Sequence, residues 1–276
     1  MTALTDFKTR FMLAENRRDI ALWIAGKFRE FGYETVLIDS LENTVEYPFQ
    51  SGQMNTTWQY NIIAVLEGTT SPDSIGVLGA HYDCMIMGPE TEPYTFSPGA
   101  NNNASGVAAI LEIARILRQH AFDADITLHF AAFGSEEFMT MFAEGPSGSE
   151  HYVTEMKKAG KQFAFMIDNN QISYRPSTDD WRVDFQVCPG SDELTALAHK
   201  MAGEHTRLVP VDTTDHTPYS DVYYFWSNGV PSIFFEEFHF NPYTFTAQDT
   251  PENCDMAYCA EIARLTMAII LGRHRQ

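Results

Sequence analysis

Long apolar runs are missing from this chain: nowhere do about 18 consecutive apolar residues occur, the length a spanning helix needs. Basic residues are also scarce. Eighteen Lys and Arg stand against 37 Asp and Glu, a formal charge of -19, which repels phosphate backbones and anionic lipid surfaces at long range. Nucleic acid and membrane partners are therefore not expected. The four cysteines, Cys84, Cys188, Cys254 and Cys259, form no paired motif of the kind that makes a zinc knuckle or a redox centre, and they read as free thiols. Met1 to Arg10 lack a charged start followed by an apolar stretch, so the chain as written reads as cytoplasmic, and as exported only if a leader has been removed.

What is present is a regular alternation of strand and helix patterns over 276 residues, 44% of them hydrophobic, enough for one large core. Helical spacing covers Ala14 to Phe31, Ala104 to Gln119, Ser149 to Ala159, Ser191 to Met201 and Ala257 to Leu271. Extended segments are read at Tyr33 to Asp39, Asn61 to Glu67, Ile75 to Ala80, Ile126 to Phe133, Phe163 to Ile167, Trp181 to Val187 and Pro231 to Glu236. Several of these are continuous apolar runs, the mark of strands covered on both faces. The expected fold is a single α/β domain over residues 1–276, with a mixed, mainly parallel central sheet and helices on both faces. No repeat or linker divides it.

In such sheets ligands gather beyond the carboxyl ends of the strands. Four strands here end in metal-binding or proton-transferring residue types: His81 and Asp83, Glu136 and Glu137, Asp168, and Glu236, Glu237 and His239. A single acid after a strand is commonly a helix cap, and a lone Glu-Glu pair is commonly a solvated loop, but several converging on one edge suggest chemistry. His81 and Asp83, two apart on an extended segment, point the same way, so the carboxylate can orient the imidazole. Adjacent Glu136 and Glu137 fit a division between proton acceptor and metal ligand.

Between them, Pro98-Gly99-Ala100-Asn101-Asn102-Asn103-Ala104-Ser105-Gly106 forms a turn into a helix. Together with Gly-Ala-His-Tyr-Asp (79–83), Phe-Gly-Ser-Glu-Glu (133–137), Ile-Asp (167–168), Asp-His-Thr-Pro-Tyr (215–219), Gly-Val-Pro-Ser-Ile-Phe-Phe (229–235) and Asp-Thr-Pro-Glu-Asn-Cys-Asp (249–255), it resembles the co-catalytic zinc aminopeptidase family. That family also contains glutaminyl cyclases and the silent protease-like domain of transferrin receptors. The resemblance runs from about Tyr60 to the C-terminus and implies a zinc-exopeptidase-like three-layer sandwich acting on peptides or aminoacyl compounds.

The resemblance implies His81, Asp168 and Glu137 as metal ligands, Glu136 as general base and Asp83 as the partner of the histidine. It also places Asn101 where an aspartate bridges two zinc ions, and Phe245 where the last histidine ligand stands. An amide offers one oxygen and two N–H donors, a poor bridge between dications roughly 4 Å apart, and a phenyl ring cannot ligate zinc. One zinc ion is therefore expected, or none, with His239 as a remote substitute ligand. Asp215 and His216 resemble the family's substrate-side segment, against an ordinary structural role for His216. Tyr219, Tyr223, Tyr224, Phe225 and Trp226 read first as helix core and second as a pocket wall.

Three functions stay open at this point: a one-metal aminopeptidase, an inactive pseudo-peptidase serving as a binding or scaffold protein, and an amide hydrolase or acyl transferase with a rebuilt site.

Overall fold

A computed structural model of the chain describes residues 1–87, 92–137, 143–214 and 220–274. A short helix, α1 (Thr2–Thr5), precedes α2 (Arg17–Glu30), and an antiparallel ribbon of β1 (Val36–Glu46) and β2 (Met54–Leu66) follows. Next come β3 (Ser71–His81), α3 (Ser105–Gln119), β4 (Ile126–Phe133), β5 (Ala143–Glu144), α4 (Gly148–Lys158) and β6 (Gln162–Asn169). The chain continues through β7 (Arg182–Val187), α5 (Asp192–His205), β8 (Val209–Thr213), α6 (Asp221–Trp226), β9 (Ser232–Glu237) and α7 (Met256–His274). Among these residues no helix is long and apolar enough to cross a membrane.

One sheet runs in the order β5-β1-β2-β4-β3-β6-β9-β7-β8. Its centre, β4-β3-β6-β9, is parallel throughout, while β1, β2 and β5 on one side and β7 against β9 on the other pair antiparallel. The expected mixed sheet is present, and "mainly parallel" describes its centre rather than its flanks. Consecutive parallel strands put all their carboxyl ends on one edge, which gathers residues from 81, 133, 169 and 237 onward.

Helices cover both faces. Val107, Ile110, Ile113, Ala114 and Leu117 repeat at helical spacing on α3 and are buried with Ile20, Ile24 and Phe28 of α2 and Ile262, Leu265 and Ile269 of α7. The opposite face carries α4 and α6, where Tyr152, Val153, Val222 and Phe225 meet Val77, Phe133, Met166 and Phe234. α4 starts at Ser147, whose Oγ accepts from Glu150 N at 3.2 Å, and ends on Lys157 and Lys158, which suit the negative end of the helix dipole.

Elements buried on both faces lie where the pattern puts them, β4 with the same limits. The outer halves of β1 and β2, the edge strand β8 and the two-residue β5 were not read from the sequence. They are partly exposed and carry no continuous apolar run.

Candidate metal centre

The centre lies on the carboxyl edge of the parallel strands. His81 Nδ1 lies 3.1 Å from the Asp83 carbonyl oxygen, to which it can only donate, and 3.6 Å from Asp83 Oδ1, while Nε2 is 3.1 Å from Asn170 Oδ1 and 3.6 Å from Glu136 Oε2. The Asp83 carboxylate has a second task. Its two oxygens accept from the backbone N–H groups of Glu136 and Glu137, each at 3.1 Å, fixing the loop that presents both glutamates. Ligand atoms of His81, Glu136 and Glu137 all lie within 4.8 Å of one another, and among the described residues this is the group able to share one cation.

Asp168 is buried on the same side, but its Oδ2 accepts from Val222 N at 3.1 Å at the start of α6, and its Oδ1 has no hydrogen-bond partner among the described residues. The sequence expectation for Asn101 needs correction. Asn101 Nδ2 donates to both Glu237 oxygens at 2.8 and 2.9 Å, and its Oδ1 accepts from Ser173 N at 2.7 Å, so the polar atoms of that side chain are engaged by Glu237 and Ser173 and not by His81, Glu136, Glu137 or Asp168. The next residue faces the site: Asn102 Nδ2 donates to Glu137 Oε1 at 2.8 Å, and its buried Oδ1 is unpartnered. The turn makes this assignment because Asn102 and Asn103 leave helical geometry (φ -106, ψ 91 and φ -134, ψ 47), rotating successive side chains apart. Gly99, at φ 51, is required there, since a Cβ would come within 2.5 Å of Asn102 O and of Cys84 Cβ.

Phe245 packs against an apolar cluster that includes Phe11, Met12, Val45 and Met85. His239 is not a substitute ligand. Its Nε2 pairs with Asp180 Oδ2 at 2.6 Å in a surface cluster with Arg182. Asp215, His216 and Tyr219 lie outside the described residues. Tyr223 packs on Tyr224 and on Trp226, all three half-buried, and of the described members of the aromatic cluster only Phe225 is core.

Two residues escaped the sequence reading. Arg10 is 2% exposed, and its guanidinium donates to the carbonyls of Tyr82, Pro98 and Gly99 at 2.6, 2.6 and 2.7 Å, joining the segment after β3 to the asparagine turn. Asp221, at the start of α6, is buried beside Asp168 and contributes negative charge to Glu136 and Asp168. No motif marks Arg10, and Asp221 looks like an ordinary first-turn acid.

Burial raises the carboxylates of this region: Glu136 and Asp168 well above their ordinary range, Glu137 to about 8 and Asp221 to about 7. His81 is the counterpart. Burial opposes its charge, but Glu136 and then Asp83 and Glu137 outweigh that and hold its proton more tightly than usual. So many buried carboxylates facing one imidazole, with oxygens of Asn102 and Asp168 left free, suit a bound divalent cation.

A sequence profile of peptidase family M28 matches residues 61–270, most of the chain and every element that builds this centre. The chain belongs to peptidase family M28. Among its M28-type relatives, a probable aminopeptidase of Saccharomyces cerevisiae is 23% identical over 283 residues, covering 98% of this chain and 70% of that protein. Leucine aminopeptidase 1 of Ajellomyces capsulatus is 27% identical over 183 residues, covering 64% of this chain and 43% of that protein, so the chain spans less than half of some relatives. The fold matches a zinc aminopeptidase from Bacillus subtilis with TM-score 0.78 at 16% identity, covering 99% of this chain and 93% of that one. It matches a Bacteroides thetaiotaomicron glutaminyl cyclase with TM-score 0.74 at 19% identity, covering 97% and 94%. Likenesses at this identity establish the fold. The M28 chain here is aminopeptidase-like, of a family with zinc metalloprotease members acting on peptides.

Proposed function

We propose that this chain is a metal-dependent aminopeptidase with one working divalent ion, zinc by the company of its relatives, rather than two. The observation that carries the reading is the pairing of Asn102 with Glu137: a neutral amide occupies the turn position facing the carboxylates, and Phe245 adds no ligand beside it. His81 and Glu137 would hold the ion, with Asp168 and the Asn102 Oδ1 as the neighbouring free oxygens. The bound ion supplies polarisation of the scissile carbonyl.

The protein's own groups account for the rest. Glu136, 7% exposed with a raised proton affinity, takes the proton of the attacking water and returns it to the departing amine. Asp83 holds the Glu136 and Glu137 backbone in place, and Arg10 ties the His81 segment to the asparagine turn, so the ligating and proton-accepting groups keep one spacing. Protein purified without chelator, analysed for metal and assayed on aminoacyl amides with added zinc or cobalt, tests the reading. Turnover that disappears in Glu136→Gln with metal retained supports it. No metal uptake and no turnover would favour the inactive, scaffold reading instead.

A further inference from the structure

The strand that carries Asp168 presents a second polar side chain two residues further on. Side chains two apart on extended backbone share a face, so Asn170, just past the end of β6, lies on the same side as Asp168. It is 6% exposed, and its amide spans two groups of the centre: Oδ1 lies 3.1 Å from His81 Nε2, and Nδ2 donates to Glu136 Oε1 over a long 3.5 Å. The neighbours fix that orientation, because an ionised carboxylate only accepts and so takes the NH2 end, leaving the oxygen for the imidazole. The backbone here is clamped on both sides. Asn103 brackets Asn170 from the asparagine turn, its Nδ2 donating to Asn169 O at 2.9 Å and its Oδ1 accepting from Gln171 N at 3.2 Å, while Asn170 N donates to Phe235 O at 3.1 Å.

The contact between Asn170 and His81 needs a positive species. Nδ1 of the imidazole donates to the Asp83 carbonyl, so a neutral ring keeps its lone pair on Nε2, and that lone pair faces the Asn170 oxygen. Two acceptors 3.1 Å apart repel unless a proton or a metal ion stands between them. A proton serves in the metal-free chain, and a divalent ion takes its place when the histidine ligates, because ligands bind in deprotonated form. The spacing agrees: donor atoms around a four-coordinate zinc with bonds of roughly 2.0 to 2.2 Å stand roughly 3.3 to 3.6 Å apart, and the 3.1 Å between Nε2 and Oδ1 is close to that edge. So does the number of ligands. A catalytic zinc usually has three from the protein; His81 and Glu137 give two, and Asn170 offers an oxygen already set against the ligating nitrogen.

We propose that Asn170 is a metal ligand of this centre, its Oδ1 joining His81 Nε2 and Glu137 on one divalent ion. The role rests on the one-ion reading of the site and not on its peptidase chemistry. A neutral oxygen donor completes the ligand set without adding another charge to a pocket that already buries Glu136, Glu137, Asp168 and Asp221. Its Nδ2 meanwhile keeps hold of Glu136, so one side chain ties the ion's ligands to the proton acceptor.

The test is metal binding to the full chain, stripped of metal and titrated with zinc by calorimetry and with cobalt by visible absorption, in the wild type, Asn170→Leu and Asn170→Asp. Leucine keeps the size of asparagine and removes both polar atoms, whereas aspartate keeps a donor oxygen and removes the Nδ2 that holds Glu136. Expected is at least tenfold weaker zinc binding and an altered cobalt spectrum in Asn170→Leu, with Asn170→Asp binding at least as tightly as the wild type. Equal weakening in both variants would give Asn170 only an orienting role on Glu136 and overturn the proposal, as would wild-type affinity and spectrum in Asn170→Leu. The melting temperature of the metal-free protein reports whether Asn170→Leu is folded; if it is not, Asn170→Asp decides alone, and weakened binding there counts against the ligand. If the variants behave as expected but aminoacyl amides are not turned over, the peptidase reading fails and the ligand stands. A wild-type chain that takes up neither zinc nor cobalt overturns both.

Discussion

Asn102 Nδ2 donates to Glu137 Oε1 at 2.8 Å, while its neighbour Asn101 is turned the other way onto Glu237. The two adjacent amides therefore predict opposite results. Asn102→Asp replaces a donor beside Glu137 with a second carboxylate and should tighten zinc binding at least about tenfold, the scale of gaining one supporting contact. Calorimetric titration of the metal-free protein checks it, and weaker or unchanged binding would mean that this turn does not face the ion.

Asn101→Asp places a carboxylate against Glu237, which is buried and already holds its proton well above the ordinary range. Loss of both amide donors in a buried pair should cost about 3 kcal/mol of stability. Denaturant unfolding measures this, and zinc affinity is expected to change less than in Asn102→Asp.

Glu136→Gln should keep the fold and bound metal and lower kcat by about 10² to 10⁴, the usual contribution of a positioned proton acceptor. Steady-state rates on an aminoacyl anilide give the answer. Residual activity near that of the wild type would remove Glu136 from the chemistry.

His129 provides a pH signature away from the centre. Burial, and then Lys161, holds its imidazole down to about 4, and Nδ1 lies 2.6 Å from the Tyr152 hydroxyl, which can bond the neutral ring in either tautomer. The unfolded chain binds this proton near pH 6.5 and the folded chain only near 4. The unfolded state therefore holds more protons across that window. Stability from this group is complete above pH 6.5 and falls as the pH drops toward 4, by on the order of 3 kcal/mol. Urea midpoints at several pH values should show this slope, and His129→Gln should flatten it.

Gly106, in the first turn of α3, sits so close to the strand end that a Cβ would lie 2.1 Å from Asn169 O and 2.7 Å from Asn103 Oδ1. The first of these is backbone and cannot swing aside. Gly106→Ala should therefore destabilise by about 3 kcal/mol and disturb the asparagine turn. Thermal unfolding with zinc titration reads both effects.

The sequence showed most of what periodicity and burial control. β4, α3 and α4 are covered by core, so their apolar spacing marks them within a residue or so. His81, Glu136, Glu137 and Asp168 were legible as residues following parallel strands. What was hidden depended on backbone rotation or on distant segments. Three consecutive asparagines look alike in sequence, and only the non-helical angles at Asn102 and Asn103 decide which one faces Glu137. His239 reads as a spare ligand until Asp180, 59 residues away, claims it. Arg10 acts across 72 to 89 residues of chain, a separation that no local pattern records. The antiparallel pairing of β7 with β9, which sets Asp184 opposite Glu236, lies on the flank of a sheet expected to be mixed and mainly parallel, and the sequence did not mark which strands pair that way.

The most direct test of the one-ion account is the zinc content of the full chain after equilibration with excess zinc and removal of free metal, measured by elemental analysis beside the aminoacyl-amide rate. One zinc per chain, with turnover that follows its occupancy, is the expected result. Two tightly held zinc ions per chain would contradict the account, as would turnover that persists after the metal is removed.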